Sequence, residues 1–75
     1  MTDIELQGKG SVWLMHTMTD RAEEWAEEHI QEDAQMLGSA IAIEHRYVPD
    51  IAIAALQAGL SVSLNGVEIM ERDLG

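Results

Sequence analysis

Leu60-Ser61-Val62-Ser63-Leu64-Asn65-Gly66-Val67-Glu68-Ile69 alternates apolar and polar side chains on both sides of an Asn-Gly pair. Asn and Gly both tolerate positive φ, so this dipeptide between two alternating runs is the strongest short-range signal of a two-residue hairpin. Such a loop pairs Leu64 with Val67, Ser63 with Glu68 and Val62 with Ile69. The branched apolar side chains then share one face, and Ser63 and Glu68 share the other. A hairpin with one apolar face needs a layer to cover it.

The covering layer is legible upstream. Pro49 suits the first turn of a helix, and a helix over about Pro49–Ala58 would end at Gly59, where left-handed backbone is common. Before it, Ala40-Ile41-Ala42-Ile43-Glu44-His45-Arg46 reads as a strand with Ile41, Ile43 and His45 on one face. Residues 31–37 are ambiguous, with room for a further helical turn around Asp33–Met36. Thr19 is a good N-cap, with Asp20 in the first turn where the helix dipole favours an anion. From Asp20 to about Gln31, Ala22, Trp25, Ala26, His29 and Ile30 form an apolar helical stripe. Ser11–Met18 carries large apolar side chains on both alternating faces and reads as a strand covered on both. Residues 1–9 alternate weakly through Ile4 and Leu6 and read as an edge strand or a loose arm.

The expected fold is therefore α+β: a single domain (1–75), a small two-layer sandwich in the order β-α-β-α-β-β. A mixed sheet carries two helices on one face and ends in the Asn-Gly hairpin.

A chain of 75 residues has a thin core and a small stability margin. It contains no cysteine, which excludes disulfides, thiol nucleophiles and cysteine-based zinc sites and fits a reducing cytoplasm. Fourteen acidic against four basic residues give a formal net charge of −10, so direct binding to nucleic acid or to an anionic membrane is disfavoured. Met1-Thr2-Asp3-Ile4-Glu5 is acidic and lacks the apolar run of a signal peptide. The uncharged run 51–67 is broken by Gly59, Ser61, Ser63 and Asn65-Gly66, so it does not read as a membrane span.

Half the acid lies in one place. Asp20, Glu23, Glu24, Glu27, Glu28, Glu32 and Asp33 are accompanied by a single base, Arg21. Glu23/Glu27 and Glu24/Glu28 are like-charged pairs at i, i+4, each costing the helix a few tenths of a kcal/mol. A helix shaped only for solubility would interleave lysine. The ridge reads either as a solvated face or as a surface complementary to a basic partner protein, such as a nucleic-acid-binding groove.

The helix over 51–58 is the opposite case, because only Asp50 and Gln57 near it are polar. One sheet face covers about half of a helix, so Ile51, Ala52, Ala55 and Leu56 are expected to serve an oligomer or partner interface, a homodimer first. Burial inside the monomer against Trp13, Trp25 and Met36-Leu37 is the other reading.

Glu44-His45-Arg46-Tyr47 gathers an acid, a base, a cation and a phenol at a strand end. Alternation sends Glu44 and Arg46 to one face and His45 and Tyr47 to the other. Arg46 is expected to pair with a helix carboxylate, and Glu44, Arg46 and Tyr47 are secondary contact candidates. His16, His29 and His45 have no metal-ligand spacing, and Gly8-Lys9-Gly10 is too short for a phosphate loop. No metal, cofactor or catalytic residue is expected, and the chain is not read as an enzyme. Trp13 and Trp25 are core anchors; Met15, Met18, Met36 and Met70 are gap-fillers or adaptable contacts.

Thr19–Trp25 together with Leu37–Tyr47 resembles a group of short proteins from bacterial phages and mobile elements, over roughly residues 10–60. The group carries no assigned activity, so no site residue is transferred from it. Small acidic cysteine-free phage proteins, anti-CRISPR proteins among them, often inhibit host nucleic-acid machinery. Likeness to these in size and charge alone suggests an inhibitor that occupies a basic nucleic-acid-binding surface of a partner. The alternative is a structural or assembly protein that oligomerises through residues 51–58, with no inhibitory role.

Overall fold

In the computed structural model, residues 2–30, 36–37 and 40–73 are described. Along them run β1 (Ile4–Lys9), β2 (Val12–Thr17), α1 (Asp20–His29), β3 (Met36–Leu37), β4 (Ala40–Glu44), α2 (Val48–Gln57), β5 (Val62–Leu64) and β6 (Val67–Ile69). The strands form one mixed sheet in the order β3-β4-β2-β1-β5-β6. Its one parallel pair among these residues is β1 with β5.

The β5–β6 hairpin has the register its alternation dictates: Val62 with Ile69, Ser63 with Glu68, Leu64 with Val67. Asn65 and Gly66 both take positive φ, 48° and 84°, as a two-residue loop of this hand requires. α2 closes as expected at Gly59. The Leu60 N–H reaches the Ala55 carbonyl and the Gly59 N–H reaches that of Leu56, with Gly59 at φ 88°. α1 begins at the expected cap: Thr19 accepts from the Ala22 N–H at 3.2 Å. It stops at His29, where Ile30 turns to extended backbone, short of Gln31.

The register sorts the sheet residues onto two faces. Ile4, Leu6, Trp13, Met15, Ile41, Ile43, Val62, Leu64 and Ile69 lie on the first. Their side chains join Ala22, Trp25 and Ala26 of α1 and Val48, Ala52 and Ala55 of α2 in one core. Both helices therefore cover the same face. Glu5, Gln7, Val12, Leu14, His16, Ala42, Glu44, Ser63 and Glu68 belong to the second face.

Four expectations are corrected. The N-terminal segment is neither an edge strand nor an arm: β1 lies in the middle of the sheet between β2 and β5. Lys9 pairs with Val12, leaving Gly10-Ser11 as a second two-residue hairpin loop, with Gly10 at φ 77°. Among the described residues β2 is covered on one face only. Trp13 and Met15 face the helices, while Val12 is 54% exposed on the other side. β4 ends at Glu44, because the His45 N–H bonds to the Ser11 carbonyl and His45–Tyr47 then winds into a 3-10 turn. Met36 starts β3, paired with Ile41, so the helical turn expected there does not include it. Residues 33–35 of that expectation lie outside the described residues.

Candidate functional site

α1 carries the acidic ridge. Ala22, Trp25 and Ala26 turn into the core, which leaves Asp20, Glu23, Glu24, Glu27 and Glu28 exposed around the rest of the helix. Glu32 and Asp33 lie outside the described residues. At the C-terminal end, the His29 ring stacks on Trp25 with centroids 4.7 Å apart, and its Nδ1 lies 2.9 Å from the Trp25 carbonyl. His29 therefore belongs to the helix edge rather than to the core stripe, and it is exposed.

Arg21, the single base among these acids, is committed elsewhere. Its Nε and Nη2 donate to the two carboxylate oxygens of Asp3 at 3.1 and 2.7 Å. Asp3 is buried, and it also accepts from the Thr19 hydroxyl at 2.8 Å and the Ser61 N–H at 2.8 Å. Charge-assisted bonds from Arg21, then the Ser61 amide and the Thr19 hydroxyl, hold the Asp3 carboxyl well below the usual carboxylate range. This node ties three segments together: the residue before β1, the cap of α1 and the turn between α2 and β5. Backbone bonds reinforce it, with the Asp3 and Ile4 N–H groups on the Ser61 carbonyl and the Met18 N–H on the Asp3 carbonyl.

Among the described residues the ion pairs are Arg21–Asp3 and Arg46–Glu44, and neither involves a ridge carboxylate. The ridge is thus uncompensated among the described residues. At about 1.5 Å per residue, its five described carboxylates span about 12 Å of helix axis, one per about 3 Å. A single nucleic-acid strand carries one charge per about 3.4 Å of axis.

Arg46 does not reach a helix carboxylate. Its Nε bonds Glu44 at 2.9 Å, and its guanidinium lies 4.8 Å from the centroid of the Tyr47 ring. The 3-10 turn replaces strand alternation here, so Tyr47 joins Glu44 and Arg46, from which alternation would have separated it. All three are exposed, so the ion pair is worth little in stability.

The interface expected on α2 is corrected at two positions. Ala52 and Ala55 are fully buried in the core, beyond reach of a second chain, and Ile51 and Leu56 are half-buried against the same core. The residues α2 leaves exposed in its second half are Ala54 and Gln57, followed by Ala58, and an alanine exposes little more than one methyl. An apolar sequence without a polar stripe is therefore accommodated in one chain.

No three His, Asp or Glu side chains among the described residues are placed to hold a metal ion, and no helix among them is long and apolar enough to cross a membrane. No protein-family profile matches the chain, and neither curated proteins nor solved structures give a significant match.

The sequence reading missed Asp3. An acid just before an Ile4/Leu6 alternation, with Thr19-Asp20-Arg21 downstream, gives no local sign that the carboxylate will be buried.

Proposed function

We propose that the chain is an interaction module that sets the carboxylate ridge of α1 against a basic, nucleic-acid-binding surface of a partner protein. One observation carries the reading: the only arginine on α1 is diverted to Asp3, leaving Asp20, Glu23, Glu24, Glu27 and Glu28 exposed and without an ion pair among the described residues. A ridge serving solubility alone gains nothing from like charges at i, i+4, which weaken the helix. Its charge spacing approaches that of a phosphate strand, so a groove built for phosphates would receive it. The role this serves is inhibition of nucleic-acid-handling machinery, as expected of a small acidic phage or mobile-element protein.

The test is capture from a bacterial lysate on immobilised wild-type chain and on a variant with Glu23, Glu24, Glu27 and Glu28 all changed to Gln. Nucleic-acid-binding proteins should be retained by the wild type, released by duplex DNA or moderate salt, and lost on the variant. Retention that ignores both DNA competition and the four substitutions contradicts the proposal.

A further inference from the structure

The Asn65-Gly66 turn is also a chemically labile pair. Asn65 is the single asparagine of the chain. Asparagine is a thermolabile residue, and a following glycine has no side chain to shield its backbone nitrogen. That nitrogen can attack Cγ of the Asn65 carboxamide. The Gly66 N–Cγ bond closes a five-membered succinimide, the Cγ–Nδ2 bond breaks, and the Gly66 amide proton leaves with Nδ2 as ammonia. Water then opens the ring at either carbonyl, giving aspartate or isoaspartate at position 65. Both residues are exposed, so water reaches them. The native contacts oppose this reaction at each reacting group. Oδ1 of Asn65 accepts from the Gly8 N–H, and Nδ2 donates to the Gly8 carbonyl, both at 3.0 Å. The Asn65 N–H is tied to the Leu6 carbonyl at 2.9 Å. The attacking nitrogen is engaged as well, because the Gly66 N–H donates to Oε1 of Glu5 at 2.7 Å. Attack requires loss of that amide proton, and a carboxylate so close disfavours the anion that remains.

We propose that Asn65-Gly66 is a self-modification site that β1 keeps latent: the succinimide forms when the turn leaves Gly8 and Glu5, and the product does not restore the native contact. Aspartate at position 65 has no hydrogen to give the Gly8 carbonyl and sets a carboxylate oxygen against it. Glu5, bonded to the next residue, adds a second negative charge beside it. Isoaspartate adds a backbone carbon to a two-residue loop whose length fixes the β5–β6 register. Opening of the turn is reversible, but the chemistry that follows it is not, so the hairpin sets the lifetime of the native chain. The proposal does not depend on the α1 ridge.

The whole chain is incubated at mildly alkaline pH, in native buffer and in unfolding urea. Conversion at position 65 is followed by the mass gain of amide-to-acid exchange and by methyl transfer from an isoaspartyl methyltransferase. The wild type should convert at least about tenfold more slowly in native buffer, because reaction waits on opening of the turn. This comparison needs no variant to fold. Glu5→Gln keeps an acceptor for the Gly66 N–H and removes the charge. It should convert several-fold faster than the wild type in native buffer and at the same rate in urea. Asn65→Asp, which reproduces one product, should unfold at lower urea than the wild type. A native rate equal to the rate in urea overturns the proposal. So does Asn65→Asp as stable as the wild type, or Glu5→Gln that converts no faster in native buffer.

Discussion

The Asp3 carboxylate receives the Arg21 guanidinium in a two-pronged contact, at 3.1 and 2.7 Å, with Asp3 buried and the Arg21 side chain 64% exposed. This asymmetry decides which partner matters more. Removing Arg21 leaves Asp3 with the Thr19 hydroxyl and the Ser61 amide; removing the Asp3 charge unties three segments at once. Asp3→Asn should cost about 2–3 kcal/mol and Arg21→Gln about 1 kcal/mol, read by urea denaturation. Equal losses, or a larger one for Arg21→Gln, would contradict this account of the node.

The same carboxylate sets an acid dependence. Its folded-state pKa lies below its unfolded value of 3.8, so its contribution is fully present above about pH 4 and is lost as pH falls toward the folded value. Wild type minus Asp3→Asn stability should therefore be flat from pH 8 to about 5 and shrink at lower pH. A difference that grows on acidification would reverse the sign and defeat the argument.

Asn65 does more than turn a hairpin. Its side chain bonds both the N–H and the carbonyl of Gly8 at 3.0 Å, continuing the β1–β5 ladder, while its own N–H reaches the Leu6 carbonyl. Asn65→Ala loses the clamp and places alanine at φ 48°, so about 1–2 kcal/mol should be lost. Asn65→Gly relieves the strain but not the clamp and should lose less.

Gly8 lies beneath Trp13. A Cβ there would stand 2.9 Å from the Trp13 Cα and 3.0 Å from the Val12 carbonyl oxygen, both backbone atoms that cannot swing aside. Gly8→Ala should cost about 2 kcal/mol or more and shift Trp13 fluorescence. Gly10→Ala meets no atom within 4 Å and should cost only the roughly 1 kcal/mol of a left-handed alanine. A Gly8→Ala protein as stable as wild type would show that the close approach is not tight.

Much of this fold was legible because its signals are local. Asn65-Gly66, the Thr19 cap and the Gly59 helix stop each act within a few residues, and each is found where the sequence puts it. Gly10-Ser11 is a hairpin dipeptide of the same kind, overlooked because the flanking runs alternate poorly: Gly8 interrupts one, and Leu14 makes the open face of β2 look like a core face. The central place of β1 depends on pairing with β5, more than 50 residues away, and no local pattern encodes it. The same limit hid Asp3, whose partners come from residues 19, 21 and 61. α2 misled for a different reason. Its lack of polar residues suggested an uncovered side, but Ala54 and Ala58 make that side nearly costless to expose.

The ridge itself should be a liability to stability. Changing Glu23, Glu24, Glu27 and Glu28 to Gln removes two like-charged i, i+4 pairs and should raise stability by about 0.5 kcal/mol. Any loss of binding in that variant then reports on recognition and not on folding.

The ridge's role is tested most directly by the salt dependence of binding to a captured partner, measured for the wild type and the four-Gln variant. The wild-type association constant should fall steeply with ionic strength, and the variant should bind weakly with a nearly flat slope. Equal affinities and equal slopes would show that α1's carboxylates are only a solvated surface.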